Sequence, residues 1–552
     1  MDQVTDKIDT ECSTSITVAE GKKEFKTSSG IPLKRIYTSE DMKDWDEKKA
    51  LGLPAEYPYT RGVYPTMYRG QIWTKRLLMG HQTPEVWNKR QKELIQGGQT
   101  GINFIPCCNT FFRGYDSDEV DKELVGTCGT TIDSLQDVEI CYDGIHLDQV
   151  TSALNDPNPC TMLAMYCGLA ERQGIPLWKL QGTCNQTDSI SHWIACQQMI
   201  RFPLEGHLRC LVDLAKFCTE NMPRWHPLSV VGQHMGEGGA TPVQELGFAL
   251  SSALFYVSEF IKAGLDVDSF APRISFFFNV RSDFFEEVAK FRACRRMWAN
   301  IMKERFGAKK SESWRCRFHV QTTGVELSQK QPINNIARSS LQTLAAVFSG
   351  AQSIHTDSYD EALWTPTPES QRIALMTQNI IAEETGVTGV VDPLGGSYFI
   401  ESLTDAVEDK AWNIIKTVDQ MGGMLEAVRK GYPQNEIGKS AIERQKKIDS
   451  GERTWVGVNK YTAPVGEERW PPQVKVDPEA IDRQIERTRR LRKERNQQEA
   501  GEALRMLYYV TESGQGNIFE AMVGAFKANC THGEVIGELR KVFSFGRPPT
   551  IY

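Results

Sequence analysis

The sequence lacks a long apolar run. Its longest uncharged apolar stretch, Leu246–Ser258, falls short of the roughly 20 residues a membrane-crossing helix needs and reads as a buried helix. A hydrophobic signal core is missing too: the start, MDQVTDKIDTECSTS, is polar and acidic, so export is not expected and a cytoplasmic location is. Basic charge is not in excess. With 64 Lys+Arg against 71 Asp+Glu, the formal net charge of −7 argues against a nucleic-acid or anionic-membrane surface. None of the 14 cysteines forms a CxxC pair, and Cys107–Cys108 are vicinal, a poor geometry for a disulfide or a zinc clip. Free, mostly buried thiols and no metal site are the expectation. No GxSxG elbow, HExxH helix or GxGxxG turn occurs, and GEGGA (236–240) lacks the Lys-Ser/Thr of a phosphate loop.

What is present is alternation. Residues 1–55 are polar and read as an N-terminal arm. Over 56–400, short apolar runs alternate with amphipathic stretches: GINFIP (101–106), LDQVTSAL (147–154), KLQGTC (179–184), PLSVVGQH (227–234), PRISFFFNV (272–280), RCRFHVQTTG (315–324) and AQSIHTDS (351–358). Parallel strands require crossovers and helices then cover the outside, so the pattern predicts an α/β fold. Seven or eight such units suit a (β/α)8 barrel better than an open doubly wound sheet. Several runs finish in polar groups, Gln233 and His234, Gln321, and His355 among them, which is what a barrel rim binding a polar ligand requires. After DPLGGS (392–397) the alternation stops, and 401–552 reads as a helical subunit-contact region. Composition and spacing give a scaffold and a polar site but no reaction.

Longer motifs supply more. YPYTRGVYPTMYRGQIWTKR (57–76), GYDSD (114–118), TIDSLQDVEICYDGIHLDQV (131–150), NMPRWHPLSVVGQHMGEGGAT (221–241), AGLDVDSFAPRISFFFN (263–279), RFHVQTTG (317–324) and DPLGGSYFIESLTD (392–405) resemble the adenosylcobalamin-dependent acyl-CoA mutases, the methylmalonyl-CoA mutase family. The resemblance runs from about residue 30 to the C-terminus. It implies a TIM barrel threaded by coenzyme A and a radical 1,2-migration of the thioester carbonyl group. The family's cobalamin module carries a D-x-H-x-x-G motif that this chain does not contain, so a separate cobalamin-binding small subunit is expected. A large-subunit dimer within a heterotetramer follows by resemblance only.

Site residues follow the same way. His234, in G-Q-H-M-G-E-G-G-A, matches the family's active-site histidine. Tyr64, Thr74, Arg76, Arg273 and Ser275 match positions that hold coenzyme A. Gln321 and Gln352 match positions facing cobalamin, Glu361 a contact to the adenosyl ribose, and Asp357 stands where methylmalonyl enzymes have Asn.

The departures bear on the substrate. Gln71 replaces an Arg, Leu78 the Tyr of the acyl pocket, and Gln233 the Tyr before the histidine. Gln197, with Gln198 as an alternative, matches a carboxylate-binding Arg in a stretch blurred by insertions. Pro106 stands near the Asp that 2-hydroxyisobutyryl-CoA mutases use to bind a hydroxyl, with Asn109 as a substitute. Neutral groups leave a second substrate carboxylate unpaired. The expected substrate is therefore a branched monocarboxylic acyl-CoA such as isobutyryl, pivalyl or isovaleryl. A 2-hydroxyisobutyryl-CoA or methylmalonyl-CoA mutase and a non-catalytic acyl-CoA-binding protein are the alternatives.

Overall fold

The computed structural model describes residues 24–196, 200–464 and 470–547. Ten short strands carry the fold: β1 (Thr74–Lys75), β2 (Leu78–Met79), β3 (Ile102–Phe104), β4 (Thr151–Leu154), β5 (Gln181–Cys184), β6 (Trp225–His226), β7 (Leu228–Val231), β8 (Ile274–Val280), β9 (Phe318–Thr322) and β10 (Ser353–His355). They form two five-stranded sheets, ordered β1-β10-β9-β8-β7 and β2-β3-β4-β5-β6. Every pairing within these sheets is parallel. Only Arg76 and Leu77 separate β1 from β2, and only Pro227 separates β6 from β7.

Each of the seven apolar runs read from the sequence contains a strand. The strand pieces at 74–79, too short and too charged to stand out, were carried only by the motif around Trp73. In PLSVVGQH the strand ends at Val231, and Gln233 and His234 open the short helix Gln233–Glu237.

Period-two patterning divides the faces. In β8, Phe276 and Phe278 pack outward on Trp298 and Phe291 of the helix Phe284–Asn300. The alternate positions Ser275, Phe277 and Asn279 point the other way, and the register pairs Asn279 with Gln321 and Gln321 with His355. The polar residues of these strands therefore share one face.

The helix Pro242–Lys262 contains the apolar run 246–258 and is buried, as expected. It starts at a Thr241–Gln244 capping box with Pro242 at its first turn. Glu245 of this helix and Glu287 flank the fully buried Lys290 ammonium, 2.9 and 2.6 Å away. Two carboxylates around one buried cation rivet adjacent crossover helices, and removing one partner costs about 3–5 kcal/mol. The described part of the N-terminal arm lies on this chain's own surface: Thr27 Oγ1 donates to Glu286 and Ser28 N to Asp283. Beyond 400 the chain is helical, and these helices complete the outer layer. Tyr398–Gln420 packs on Pro242–Lys262 and Phe284–Asn300, and Ile518–Lys527 on Thr161–Arg172. Among the described residues no single helix is long and apolar enough to cross a membrane.

Candidate active site

The polar face has two ends, set by strand direction. At the N-terminal ends, Arg76 is buried and its Nη2 donates to Thr151 Oγ1 at 2.8 Å, while its Nε is buried without a partner. Burial pulls this guanidinium down to about 10. His319 is similar: Nδ1 lies 2.7 Å from Ser353 Oγ and Nε2 is unpartnered. Thr74 lies in β1, with its N–H on Gln352 O. Tyr64 and Gln71 are exposed and precede β1. Ser275 Oγ sits 3.4 Å from Leu228 O. Arg273 spends three donors on Cys218 O, Thr219 Oγ1 and Ser269 O, clasping the helix Leu204–Asn221 to the start of β8.

At the C-terminal ends, the site is built around His234. Gly232 permits the turn out of β7: a Cβ there would stand 2.6 Å from the Phe278 ring. Asp188 caps the helix Ser189–Ile194 and also accepts from Val231 N and Tyr256 Oη, which ties that helix to the end of β7. Ser191 on this helix lies with Oγ 3.1 Å from His234 Nδ1. His234 is buried and desolvation pulls its imidazole down to about 3, so it is neutral near pH 7. His192 stands beside it, ring centroids 5.3 Å apart, and both its nitrogens are buried without partners.

A ladder of neutral amides follows over β3 to β5. Asn155 Nδ2 donates to Asn103 Oδ1 at 2.7 Å, and Asn185 Nδ2 to Asn155 Oδ1 at 3.0 Å. Gln186 Nε2 reaches the same oxygen at 3.4 Å, and its Oε1 is buried without a partner.

Opposite lies an acidic corner. Leu78 N donates to His355 Nδ1 at 2.9 Å, which leaves His355 Nε2 as the donor to Asp357 Oδ1, also 2.9 Å away. Gln321 Nε2 donates to the same Oδ1 at 3.1 Å, while Oδ2 is buried with no partner. Burial, then the Glu237 charge, pushes the Asp357 carboxyl well above its ordinary value. Burial and Asp357 push Glu361 up to about 8. Glu361 is therefore mostly protonated at pH 7 and the Asp357 carboxyl is shifted towards its neutral form, so this corner carries less negative charge than its composition suggests.

The structure thus brings His234, Gln233, Leu78, Gln321, Asp357 and Glu361 to one end, with Pro106 just beyond β3. It separates two residues from the groups expected and commits the amide hydrogens of a third. Gln71 stands seven residues before Leu78 along the same segment, roughly 20 Å of extended chain, and so lies away from the acyl pocket predicted for it. Gln352 precedes β10, where its amide joins Gly350 O and Phe318 N, at the end opposite Gln321. Asn109 spends both amide hydrogens on Leu124 O and Thr127 Oγ1, which leaves its Oδ1 to meet a hydroxyl. Gln197 and Gln198 lie outside the described residues. Sequence reading missed Ser191, His192 and the Asn103–Asn155–Asn185–Gln186 ladder. The ladder's signal was available: an Asn or Gln at or just after three successive strands.

Among the described residues two arginines approach this end: Arg201 is fully engaged, whereas Arg281 keeps its Nε buried without a partner. Arg201 is fully buried, paired with Asp156 and donating to the carbonyls of Phe111, Phe112 and Pro157. Arg281 donates to Gly236 O at 2.8 Å.

The methylmalonyl-CoA mutase family model matches residues 26–545. The chain is 40% identical over 538 residues to the 2-hydroxyisobutanoyl-CoA mutase large subunit of Aquincola tertiaricarbonis, covering 97% of this chain and 94% of that one. It is 40% identical over 522 residues to the mitochondrial methylmalonyl-CoA mutase of Homo sapiens, with 94% and 68% coverage. Against methylmalonyl-CoA mutase of Rhizobium meliloti it is 40% identical over 523 residues, with 94% and 72% coverage. A match across nearly the whole length, with a buried neutral histidine at the end of β7 where the motif predicted it, establishes that this chain belongs to the methylmalonyl-CoA mutase family of acyl-CoA mutases.

Proposed function

We propose that this chain is the large, substrate-binding subunit of an adenosylcobalamin-dependent mutase that rearranges a branched monocarboxylic acyl-CoA. In this reading β1 with β2, and β6 with β7, are two interrupted strands shared by the sheets, so that eight strands close into one barrel. Coenzyme A enters past Tyr64, Gln71 and Thr74 at the N-terminal ends, and the acyl group lies against His234, Leu78 and Pro106 at the C-terminal ends. Arg76, a buried guanidinium with an orphaned Nε, and Ser275 supply polar contacts along the way.

Neutral His234 holds the thioester carbonyl. The role needs the Nε2–H tautomer, in which the single Ser191 hydroxyl proton turns to Nδ1 at 3.1 Å rather than to Asp188 O at 2.8 Å. A neutral donor aimed at the carbonyl stabilises negative charge on its oxygen as the group moves, and a closed lumen excludes water from reactive species.

The residues near Asp357 suit an adenosyl group. The orphaned Asp357 Oδ2 and the Glu361 carboxyl offer hydrogen bonds to ribose hydroxyls, with Gln321 orienting Asp357. When bound, adenosylcobalamin supplies the carbon radical that removes and returns a substrate hydrogen. A cobalamin-binding small subunit would dock over this end, in a heterotetramer built on a large-subunit dimer.

One observation carries the substrate class: among the described residues the acyl end holds amides, histidines and carboxyls shifted towards protonation, while Arg201 is paired with Asp156 and Arg281 is held by Gly236 O. A second substrate carboxylate would have to draw Arg281 away from Gly236 O or lie unpaired, at a cost of several kcal/mol. The test is turnover by the chain with its small subunit and adenosylcobalamin on isobutyryl-, pivalyl-, isovaleryl-, 2-hydroxyisobutyryl- and methylmalonyl-CoA. A branched monocarboxylic substrate is expected to be fastest. Fastest methylmalonyl-CoA turnover refutes the substrate class, and acyl-CoA binding without any turnover identifies a non-catalytic binder.

A further inference from the structure

The loop after β3 places two thiols together. Cys107 N donates to Thr130 O and Thr130 N to Ile105 O, a parallel bridge centred on Pro106 and Thr130. One step further, Cys108 N donates to Cys128 O at 2.7 Å. The two thiols are close enough to influence each other's ionisation. A backbone hydrogen bond between two residues holds their α-carbons within the roughly 4.4–6.8 Å a disulfide spans.

The pair is asymmetric. Among the described cysteines Cys128 alone is exposed, whereas Cys108 is buried. The neighbouring Cys108 draws the Cys128 thiol down to about 7, while the same interaction and burial push Cys108 well up. An exposed residue whose thiol ionises near neutrality, beside a buried partner held protonated, has the features of an attacking and a resolving cysteine. The contrast within the molecule is Cys294 and Cys316, whose sulfurs lie 3.5 Å apart. Both are fully buried and Cys316 is held protonated, so proximity alone gives them no route to an oxidant.

We propose that Cys128 and Cys108 form a peroxide-reactive modification site, Cys128 attacking and Cys108 resolving. The Cys128 sulfur attacks hydrogen peroxide; an S–O bond forms, the O–O bond breaks, and hydroxide leaves to become water. The resulting sulfenic acid is attacked by the Cys108 sulfur, whose proton departs with the hydroxyl as a second water as the S–S bond forms. Two thiols lose two electrons, and one peroxide is reduced to two waters. The disulfide would fix the loop bearing Thr127 and Gly129 to the end of β3, beside Pro106. The site itself does not rest on the substrate proposed above.

The test uses the full chain and mass readouts, so it stands apart from turnover. Limited iodoacetamide at pH 7 is expected to label Cys128 about tenfold faster than any other cysteine, with a labelling midpoint near pH 7. Stoichiometric hydrogen peroxide should then give a Cys108–Cys128 linked peptide, reversed by dithiothreitol. Cys108→Ala should stop at a dimedone-trappable sulfenic acid on Cys128 and move its labelling midpoint up by more than one pH unit. Cys128→Ser, at an exposed position, should abolish both products with the fold intact. A first disulfide at Cys294–Cys316, equal labelling of several thiols, or a wild-type Cys128 midpoint at the ordinary 8.5 overturns the proposal.

Discussion

His234 keeps one protonation state across the physiological range, because desolvation holds its imidazole near 3. Its proposed work is hydrogen-bond donation, so His234→Ala should lower kcat about 10²–10⁴-fold with a smaller change in KM, measured on the fastest acyl-CoA. An unchanged kcat removes the role. Ser191→Ala leaves the ring but not the partner of Nδ1; it should lower kcat about tenfold, the worth of one hydrogen bond to a transition-state group. At this scale the sequence was legible where a residue sits in a motif of fixed spacing, as His234 does. It was not legible for Ser191, which acquires its place only because Asp188 joins one helix cap to the end of a strand. Gln71 shows the opposite failure: a motif places two residues in one segment but does not say that one stays exposed before β1 while the other opens β2 beside His355.

Strands were readable from their apolar runs because helices cover the outer face, and the covered positions must be large and apolar, as Phe276 and Phe278 are. β1 and β2 lacked that signal, being two residues each around charged Lys75 and Arg76. Small residues mark where elements approach most closely. In β5, a Cβ on Gly182 would stand 2.1 Å from Ser152 O and 2.6 Å from the Trp225 ring, so neither backbone nor a buried indole can give way easily. Gly182→Ala should therefore destabilise by about 1–3 kcal/mol. Gly524, in the helix Ile518–Lys527, meets nothing within 4 Å, and Gly524→Ala should stabilise by about 0.5–1 kcal/mol. Calorimetric midpoints moving in opposite directions for the two substitutions are the expected result; a neutral Gly182→Ala would mean that β4 and β5 can separate without cost.

Across the whole molecule the buried titratable groups pull stability in two directions with pH. His81, His207, His226 and His234 are drawn down to about 3 and His355 to about 4, burial being the first cause in each. Between those values and the ordinary 6.5 the unfolded chain binds more protons, so their contribution is complete above 6.5 and is lost as pH falls. The carboxyls run the other way. Asp156 and Asp188 are pushed up to about 6, Glu361 to about 8, and Glu286 and Glu287 also upward, all by desolvation first. There the folded chain binds more protons, and stability present below the ordinary carboxyl values is lost as pH rises through the raised ones. The two sets offset one another between about 4.5 and 6.5, where both titrate; above that the several carboxyls remain active, opposed only in part by the Cys128 thiol drawn down to about 7. The thermal midpoint should hence be nearly flat over that interval, fall below it, and fall again from 6.5 to 8. Glu361→Gln, which keeps the shape and removes the ionisation, should flatten the alkaline limb. A midpoint that climbs steadily from pH 6.5 to 8 would show that these carboxyls are ionised in the folded chain, and with them the Asp357 corner as an anionic rather than a neutral wall.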